Sequence, residues 1–368
     1  MKYFLISLIL NCFFSFIYCG EKDKNSSTNG DFVLPAGFKI EVFAKDVSGA
    51  RQMTLGNNRV LFVGTANRKV YAITYSPDYK FQKLYTLADN LNSPNGVAFR
   101  NGALFVGEIN RILRYDDIEN HLGDPPKPIT VFDKLPDDKH HGLKVIRFGP
   151  DGKLYIPIGM PCNVCLMKDK RFGTLNRINP DGTDFEIYAS GIRNSVGYDW
   201  NPLTNQLWFT DNGRDMMGDD IPPDELNKAS VKGMNFGFPF FHGGDIPDPD
   251  FGKDKNPDDY TKPELKLGPH VASLGMRFNT GNMFPSEYKN QIFIAEHGSW
   301  NRTHKIGYRI TIVKLKDDKP VSYQPFAEGW LKGESVSGRP VDLQVLPDGS
   351  MLVTDDFGGI IYRITYHD

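Results

Sequence analysis

The chain is poor in cysteine and carries no excess of charge of either sign. Its 368 residues include four cysteines, and 43 Lys and Arg residues stand against 45 Asp and Glu residues, for a formal net charge of -2. Because nucleic-acid-binding domains usually present a basic excess, this composition does not point to a nucleic-acid partner. The apolar run at residues 4–18 is too short, and too soon followed by charge, to predict a membrane span.

The first 33 residues are predicted to lie outside the folded domain. Lys2 precedes the apolar run and Cys19 follows it, so residues 1–19 are expected to form a signal peptide. Residues 20–33 are polar and are expected to form a disordered tether. A cysteine at this place resembles a bacterial lipoprotein signal, in which the cysteine is acylated, although Tyr18 is larger than that signal prefers. We therefore expect an exported protein, either periplasmic or lipid-anchored on the cell envelope, with no other membrane contact.

Only Cys162 and Cys165 would remain in the folded domain once Cys12 leaves with the signal and Cys19 is acylated. Two cysteines supply too few ligands for a metal, and Leu166 stands where haem attachment needs a histidine. The pair is expected to form a local disulfide in an oxidising compartment, with a free thiol pair as the alternative.

Glycine and proline are abundant, at 36 and 25 residues, and both favour short strands and turns over helices. A short apolar strand motif recurs at residues 61–63, 104–106, 154–156, 207–209, 292–294 and 351–353. The intervals match or exceed the roughly 40 to 50 residues of one propeller blade. A two-sheet sandwich does not explain such a repeat. We therefore predict an all-β, six-bladed β-propeller of four-stranded antiparallel blades over residues 34–368.

The two ends of this domain suggest how the ring closes. Residues 38–43 alternate apolar and polar like a strand but have no preceding partner, while the last motif copy ends near Tyr366. The N-terminal strand is therefore predicted to complete the last blade and to cover edges that would otherwise be exposed.

The residues upstream of each motif copy are predicted to form the innermost strand of the blade, whose leading end faces the central channel. Arginine stands at three of these ends, as Arg51, Arg193 and Arg339, and His141 stands at a fourth. One arginine alone would most often form a surface salt bridge. Three arginines at the leading ends of inner strands predict a site for a small ligand with several carboxylates, because a guanidinium binds a carboxylate through paired hydrogen bonds. His141 beside them is a candidate general base, since histidine titrates near neutrality.

Two loops add ligand-binding groups. Residues 211–215 are rich in the oxygen donors that bind Ca²⁺, although acidic loops are more often only solvated and this one lacks the helix-loop-helix signature. In residues 295–302, Trp300 is expected to stack on a planar ligand and Arg302 to pair with an anion. Asn301 begins a glycosylation sequon, which fits poorly with a bacterial-type signal.

Four stretches form a specific combination, at residues 141–152, 191–194, 297–302 and 338–342. With them, the chain from about Leu34 to Tyr366 resembles the glucose/sorbosone dehydrogenase family, the soluble quinoproteins that are six-bladed propellers carrying pyrroloquinoline quinone (PQQ) and Ca²⁺. It looks closer to the sorbosone dehydrogenase-like branch than to soluble glucose dehydrogenase. The resemblance implies a PQQ- and Ca²⁺-dependent oxidoreductase that acts on an aldose, a sugar aldehyde or a related polyol and passes electrons to an external acceptor.

The same resemblance implies roles for individual residues. His141 falls at the general base, which takes the proton of the substrate hydroxyl as hydride passes to the quinone. Arg193 and Asn194 match the pair that contacts the cofactor and the developing charge, and Arg339 matches an arginine for a cofactor carboxylate. The remaining positions are the backbone carbonyls of Gly213 and Arg214 for Ca²⁺, and further cofactor contacts at Arg51, Trp300, Asn301 and Arg302.

The chain departs from the family pattern beside the base and beside Arg339. His140 stands where the glucose enzymes have an aspartate, and Val341 replaces a second arginine. Two other functions stay open at this point. A Ca²⁺-dependent propeller hydrolase or lactonase would need carboxylates at the inner strand ends, and a non-catalytic ligand-binding propeller would keep only the scaffold.

Overall fold

The computed structural model describes residues 26–29 and 31–367 of the chain. The predicted signal peptide with Cys19, and residues 20–25 of the predicted tether, lie outside the described residues. Within the range predicted as tether, Ser26–Asn29 (β1) pairs antiparallel with Phe32–Pro35 (β2). No helix among the described residues is long and apolar enough to cross a membrane.

The described part of the chain is almost entirely β, and its strands form six four-stranded antiparallel sheets arranged as the blades of a propeller. Strand β3 (Phe38–Ala44) precedes blade 1 in the chain. Blade 1 contains β4 (Ala50–Leu55), β5 (Val60–Thr65), β6 (Val70–Tyr75) and β7 (Phe81–Ala88), and blade 2 contains β8 (Gly96–Arg100), β9 (Ala103–Gly107), β10 (Ile112–Tyr115) and β11 (Ile129–Phe132). Blade 3 contains β12 (Arg147–Phe148), β13 (Leu154–Ile158), β14 (Thr174–Ile178) and β15 (Glu186–Ser190).

Blades 4 to 6 carry the longer insertions. Blade 4 contains β16 (Gly197–Trp200), β17 (Leu207–Asp211), β18 (Pro223–Ala229) and, after the hairpin of β19 (Phe241–His242) and β20 (Ile246–Pro247), β21 (Leu265–Pro269). Blade 5 contains β22 (Ser273–Phe278), β23 (Ile292–Glu296), β24 (Arg309–Lys316) and β25 (Lys319–Ala327). After the hairpin of β26 (Leu331–Lys332) and β27 (Ser335–Val336), blade 6 contains β28 (Pro340–Val345), β29 (Met351–Asp355), β30 (Ile360–Tyr366) and β3. The helices of the described part are three short 3₁₀ turns, Ile118–His121, Pro257–Asp259 and Ser286–Tyr288.

The predicted strand motif is the second strand of every blade, and every residue of these six strands is buried. Each sheet lies between two neighbouring blades, so both faces of its second strand are covered. This is why the motif reads as a continuous apolar run rather than an alternating one. The core is accordingly divided into six clusters, one between each pair of adjacent blades.

The predicted ring closure is confirmed, because β3 pairs antiparallel with β30 as the outer strand of blade 6, with Phe38 opposite Tyr366. Phe38 is buried and makes edge-on contacts with four aromatic rings at centroid distances of 4.8 to 5.1 Å. The β1–β2 hairpin continues this seam, since Val33 and Glu328 exchange two backbone hydrogen bonds of 2.8 and 3.0 Å. The N-terminal strand therefore joins the last blade to the rest of the ring.

The inner strands β4, β8, β12, β16, β22 and β28 surround the central channel, as predicted. Three of them, β4, β22 and β28, are bulged at their leading ends. A bulge leaves residues out of the regular ladder and redirects their side chains. In β4 the bulge lies between Ala50 and Met53 and includes Arg51, so this guanidinium is free to leave the sheet surface.

Candidate active site at the channel mouth

A cavity of about 320 Å³ lies where the leading ends of the inner strands meet, and we call it the channel-mouth cavity. Its volume is within the range of small-molecule sites. The predicted site residues that line it are Arg51, His141, Arg193, Asn194, Gly213, Trp300, Asn301 and Arg339. They come from five of the six blades, so the fold assembles in space a set that is scattered along the sequence.

His141 is held in one orientation by the neighbouring 160–165 loop. Its Nδ1 lies 2.8 Å from the carbonyl oxygen of Met160, and because a carbonyl only accepts, Nδ1 carries the hydrogen. The other ring nitrogen, Nε2, is therefore left with a lone pair. The backbone of His141 has a positive φ of 51°, and Gly159 packs so closely that an added Cβ would lie 2.7 Å from the His141 Cβ. The ring of His141 is thus held by its hydrogen bond, and its Cβ is held by the close contact with Gly159.

The charge state of His141 follows from its surroundings. Burial is the largest cause that lowers its pKa, and together with the positive charge of Arg193 and the neighbouring His140 it brings the pKa to about 3. The imidazole is therefore neutral at physiological pH and able to accept a proton. His140 is exposed, with its ring centroid 4.1 Å from that of His141. The hydrogen-bonding partner of His141 is the Met160 carbonyl, which no feature of the sequence indicates.

Arg193 is buried, and protein groups accept from its Nε and Nη2 atoms. Its guanidinium donates to the carbonyl oxygen and the Oδ1 of Asn163, at 2.8 and 2.9 Å, and to the Oδ2 of Asp215 at 2.8 Å. Its backbone N–H and that of Asn194 both donate to the carboxylate of Asp211, at 2.8 and 2.6 Å. Arg193 thus lies between the 160–165 loop and the 211–215 loop, and its charge is balanced in part by Asp215.

Arg51 and Arg339 differ in how they are balanced. Arg51 is buried, donating to Asn95 at 2.6 Å and to Asp356 at 2.8 Å. Arg339 makes only long contacts, to the carbonyl oxygens of His297 and Gly298 at 3.3 and 3.4 Å, and lies 5.7 Å from the Tyr308 ring. Within the described residues it has no carboxylate within salt-bridge distance. Arg339 is therefore the guanidinium most available to an anionic ligand.

A second histidine of the cavity, His297, forms a network that sequence reasoning did not assign. Its Nε2 lies 2.9 Å from Asp356, which also accepts from Arg51. Burial lowers the pKa of His297 to about 4. Burial acts to raise the pKa of Asp356, but the hydrogen bond from His297 and the charges of His297 and Arg51 hold it at about 2. Asp356 is thus an ionised acceptor that fixes Arg51 and His297 together.

Two predicted contacts lie outside the cavity lining. Arg302 donates to the backbone carbonyl of Asp219 and lies 3.8 Å from the carboxylate of Asp220. The side chain of Arg214 pairs with Asp248 and, at 3.2 Å, with Asp250. Both guanidiniums are thus committed to carboxylate or carbonyl groups of neighbouring loops. The role predicted for Arg214 concerns its backbone carbonyl and stays a prediction.

The loop predicted to bind Ca²⁺ is held at Gly213 by the carboxylate of Asp224. Asp224 is buried and accepts from the backbone N–H of Gly213 at 3.0 Å and of Ser273 at 2.8 Å. Burial raises its pKa to about 6. Within the described residues, no group of three or more His, Cys, Asp or Glu side chains is placed to hold a metal ion. A metal at this loop would therefore depend on backbone carbonyls and on a ligand.

At the rim, Trp300 is 67% exposed, and Asn301 donates to the Oδ1 of Asp215 at 3.2 Å. Lys139 also lines the cavity and is exposed. The structure joins Cys162 and Cys165 in a disulfide, the favoured of the two alternatives for this pair. The residues missed by sequence reasoning are Lys139, Asp215, His270 and His297 in the cavity lining, and Met160, Asn163 and Asp356 behind it. Of these, His297 and Asp215 lay inside stretches already singled out.

Comparison with known proteins gives the family. The model described as Glucose / Sorbosone dehydrogenase matches residues 111–301, more than half of the chain, and one described as TrAA12-like matches residues 248–367. An uncharacterised protein of Borreliella burgdorferi is 35% identical over 348 residues, which is 90% of each chain. Aldose sugar dehydrogenase YliI of Escherichia coli is 25% identical over 286 residues, 70% of each chain.

Solved structures agree in fold. The holo PQQ domain of pyranose dehydrogenase from Coprinopsis cinerea superposes with a TM-score of 0.77 at 15% identity, covering 91% of this chain and 97% of the other. The calcium structure of a family AA12 carbohydrate-active enzyme from Trichoderma reesei gives a TM-score of 0.79 at 19% identity, covering 91% and 97%. At such identities the likeness establishes the fold alone. The family itself follows from the sequence model, which matches more than half of the residues, so this chain belongs to the glucose/sorbosone dehydrogenase family.

Proposed function

We propose that the protein is a PQQ- and Ca²⁺-dependent dehydrogenase that oxidises an aldose, a sugar aldehyde or a related polyol and passes the electrons to an external acceptor. The observation that carries this proposal is His141, whose Nδ1–H is bound by the Met160 carbonyl while its neutral ring faces a cavity lined by three arginines. Membership of a sugar dehydrogenase family supports the reaction class. The sorbosone-like branch remains a prediction.

The residues of the cavity fit an anionic, planar cofactor. PQQ carries three carboxylates, and the lining offers Arg51, Arg193 and Arg339 together with Lys139. Arg339 has no carboxylate partner among the described residues, so it can bind one without breaking an existing pair. Trp300 presents an exposed ring at the rim for a planar ligand or a sugar.

The residues also suit a hard cation at the 211–215 loop. Ca²⁺ prefers carbonyl and carboxylate oxygens, and the backbone carbonyls of Gly213 and Arg214 are the donors we assign to it. Asp224 supports their conformation through the Gly213 N–H. When bound, the cofactor would supply hydride acceptance, with the cation as its Lewis acid.

The protein's own part in the reaction is to bind, orient and move a proton. His141 Nε2 takes the proton from the substrate hydroxyl, and the Met160 carbonyl stabilises the imidazolium through the Nδ1–H bond. The same bond fixes the ring so that Nε2 stays directed at one position. Arg193 adds a positive charge beside the base, which disfavours the imidazolium before reaction and therefore keeps the base unprotonated.

The test is reconstitution of the purified protein with Ca²⁺ and PQQ. We expect saturable, stoichiometric binding of the quinone and reduction of a redox dye with at least one member of a panel of aldoses and sugar aldehydes. A parallel panel of lactones and esters examines the hydrolase alternative, which would need carboxylates at the inner strand ends where Arg51, Arg193 and Arg339 stand. Failure of the wild-type protein to bind the quinone would overturn the proposal.

We further propose that the protein is exported and lies in the periplasm or on the cell envelope through an acylated Cys19. A disulfide between Cys162 and Cys165 is consistent with an oxidising compartment. Fractionation of cells producing the wild-type chain and a Cys19→Ser variant tests this directly. Recovery of both proteins from the cytoplasm would contradict export. A wild-type chain that stays in the membrane fraction while the Cys19→Ser variant is released from it would support the lipid anchor.

A further inference from the structure

The 160–165 loop connects three parts of the site that lie far apart in sequence. Its first residue, Met160, accepts from His141 through its carbonyl and donates through its N–H to the carbonyl of Arg193 at 2.8 Å. Three residues later, Asn163 binds the Arg193 guanidinium. One short loop therefore contacts both the proposed base and the arginine beside it.

Asn163 also binds the loop assigned to Ca²⁺. Its Oδ1 accepts from the backbone N–H of Asp215 at 2.9 Å, and its Nδ2 donates to the carbonyl of Asp215 at 3.1 Å. This pair of bonds fixes the backbone of Asp215, whose carboxylate in turn pairs with Arg193 at 2.8 Å. A single amide side chain thus closes a ring of contacts around Arg193 and the 211–215 loop.

The disulfide is placed to hold Asn163 in this position. Cys162 precedes Asn163 directly, and Cys165 follows two residues later, so the bridge closes a small ring that contains Asn163. This described segment lies between β13 and β14 and belongs to no regular strand or helix. Without the bridge, the backbone from 161 to 165 would depend on loop contacts alone. Both cysteines are partly exposed, so the bridge is open to a reductant in solution.

We propose that Asn163, held by the Cys162–Cys165 disulfide, is a positioning residue that couples the Arg193 guanidinium to the 211–215 loop, so that the site keeps its ligand-binding geometry only while the disulfide is formed. The inference deepens the proposed function, on which its ligand-binding half rests. Residues that orient the groups in contact with a metal or cofactor typically change affinity or activity by about 10- to 100-fold when they are replaced.

The first measurement needs no cofactor. Amide hydrogen exchange of the 211–215 segment is compared in wild type, Asn163→Ala and Cys162→Ser/Cys165→Ser, with Val164→Ala as a control in the same loop. We expect the Asp215 amide to exchange about tenfold faster in Asn163→Ala and in the double serine variant, because its acceptor is removed or displaced. The Val164→Ala control keeps Asn163 and the bridge, and should match the wild type.

The second measurement is quinone affinity in the presence of Ca²⁺, followed by quenching of tryptophan fluorescence. We expect the dissociation constant to rise about 10- to 100-fold in Asn163→Ala and to stay within about twofold in Val164→Ala. Asn163→Ala should still unfold in a single cooperative transition, because the loop lies outside the inter-blade cores. If the double serine variant does not fold, dithiothreitol added to folded wild-type protein, with thiol alkylation to confirm reduction, replaces it.

The outcomes separate the two proposals. If amide hydrogen exchange of residues 211–215 is unchanged in Asn163→Ala, the proposed coupling between Arg193 and this loop is overturned, whatever the quinone affinity is. Unchanged quinone affinity after complete reduction of the disulfide overturns the dependence on the bridge. If the wild-type protein binds no quinone, the proposed function fails, while the exchange experiment still decides whether Asn163 positions the loop.

Discussion

Replacing Arg339 by methionine should weaken the binding of an anionic ligand without weakening the fold. Methionine keeps most of the stem of the side chain but removes the charge. The guanidinium donates within the protein only over long distances, 3.3 and 3.4 Å to two carbonyl oxygens, and it has no ion pair among the described residues. The backbone N–H of Arg339, which donates to Asp355 at 2.9 Å, is retained. The free energy of unfolding should therefore change by less than about 0.5 kcal/mol.

The effect on binding can be estimated from the charge that the substitution removes. Two unit charges 4 Å apart interact by about 4 kcal/mol at an effective dielectric constant of about 20, which is an upper limit. A charge-assisted hydrogen bond contributes about 1.5 to 3 kcal/mol net, since water is displaced from both partners. At about 1.4 kcal/mol per tenfold, the dissociation constant of PQQ should rise about 10- to 150-fold.

The matched control is Arg51→Met, at the corresponding end of the neighbouring inner strand. Arg51 is buried and pairs with Asp356 and Asn95, so its removal leaves a half-buried carboxylate and a buried amide each short of a partner. This variant should lose about 3 kcal/mol of unfolding free energy in addition to ligand affinity. Calorimetric titration with PQQ and denaturant unfolding measure the two quantities. A change of less than about threefold in the Arg339→Met dissociation constant, or a loss of stability equal to that of Arg51→Met, would refute the reasoning.

Four further outcomes are expected. His141→Gln should lower kcat by about 10²- to 10⁴-fold while quinone affinity is kept, and a kcat within about tenfold of wild type would exclude His141 as the base. Gly159→Ala, whose added Cβ would lie 2.7 Å from that of His141, should displace the ring and lower kcat by about 100-fold with the fold retained, as judged by circular dichroism. On acidification below about pH 6.5, where an unfolded histidine takes up a proton, the folded state keeps His141 and His297 neutral down to pKa values of about 3 and 4. Between about pH 6.5 and its own pKa, each of these two histidines should reduce the free energy of unfolding by up to about 1.4 kcal/mol for every pH unit of acidification. A His297→Gln variant should therefore show a shallower pH dependence of denaturant unfolding. Phe38→Ala should cost about 3 to 5 kcal/mol in thermal or denaturant unfolding, because a buried ring at the closing seam is removed, and a loss below about 1 kcal/mol would show that β3 is not needed for closure.

The blade count and the closure of the ring were predictable because both depend on local patterns that repeat. Each second strand lies between two blades and must be apolar on both faces, so its three-residue motif stands out in every copy. The closing strand alternates because only one face is covered, and Phe38–Ala44 shows buried and exposed positions mixed. Such patterns follow from burial alone, and buried positions can be recognised in the sequence by their apolar residue types.

The set of residues at the channel mouth was predictable for a related reason. In a ring of repeated blades, equivalent positions of the inner strands all reach the same end of the channel. Arg51, Arg193 and Arg339 share that position, so their convergence followed once the repeat was recognised. The same reasoning placed His141 with them, and the structure brings all four to one cavity.

The partners of these residues were decided only by the tertiary structure. Asn163 meets Asp215 across 52 residues, and Arg51 meets Asp356 across 305, through loops whose paths have no repeating pattern. The acceptor that fixes His141 is a backbone carbonyl. Because every residue has a backbone carbonyl, the residue type at position 160 could not predict this hydrogen bond. Arg302 and Arg339 are alike in sequence, yet one is committed to the Asp219 carbonyl and the other faces the cavity. The sequence by itself determined the ring and the position of its charged end, because these depend on which residues must be buried. The folded chain decided which charges are balanced and which remain for a ligand, because that depends on distances between loops.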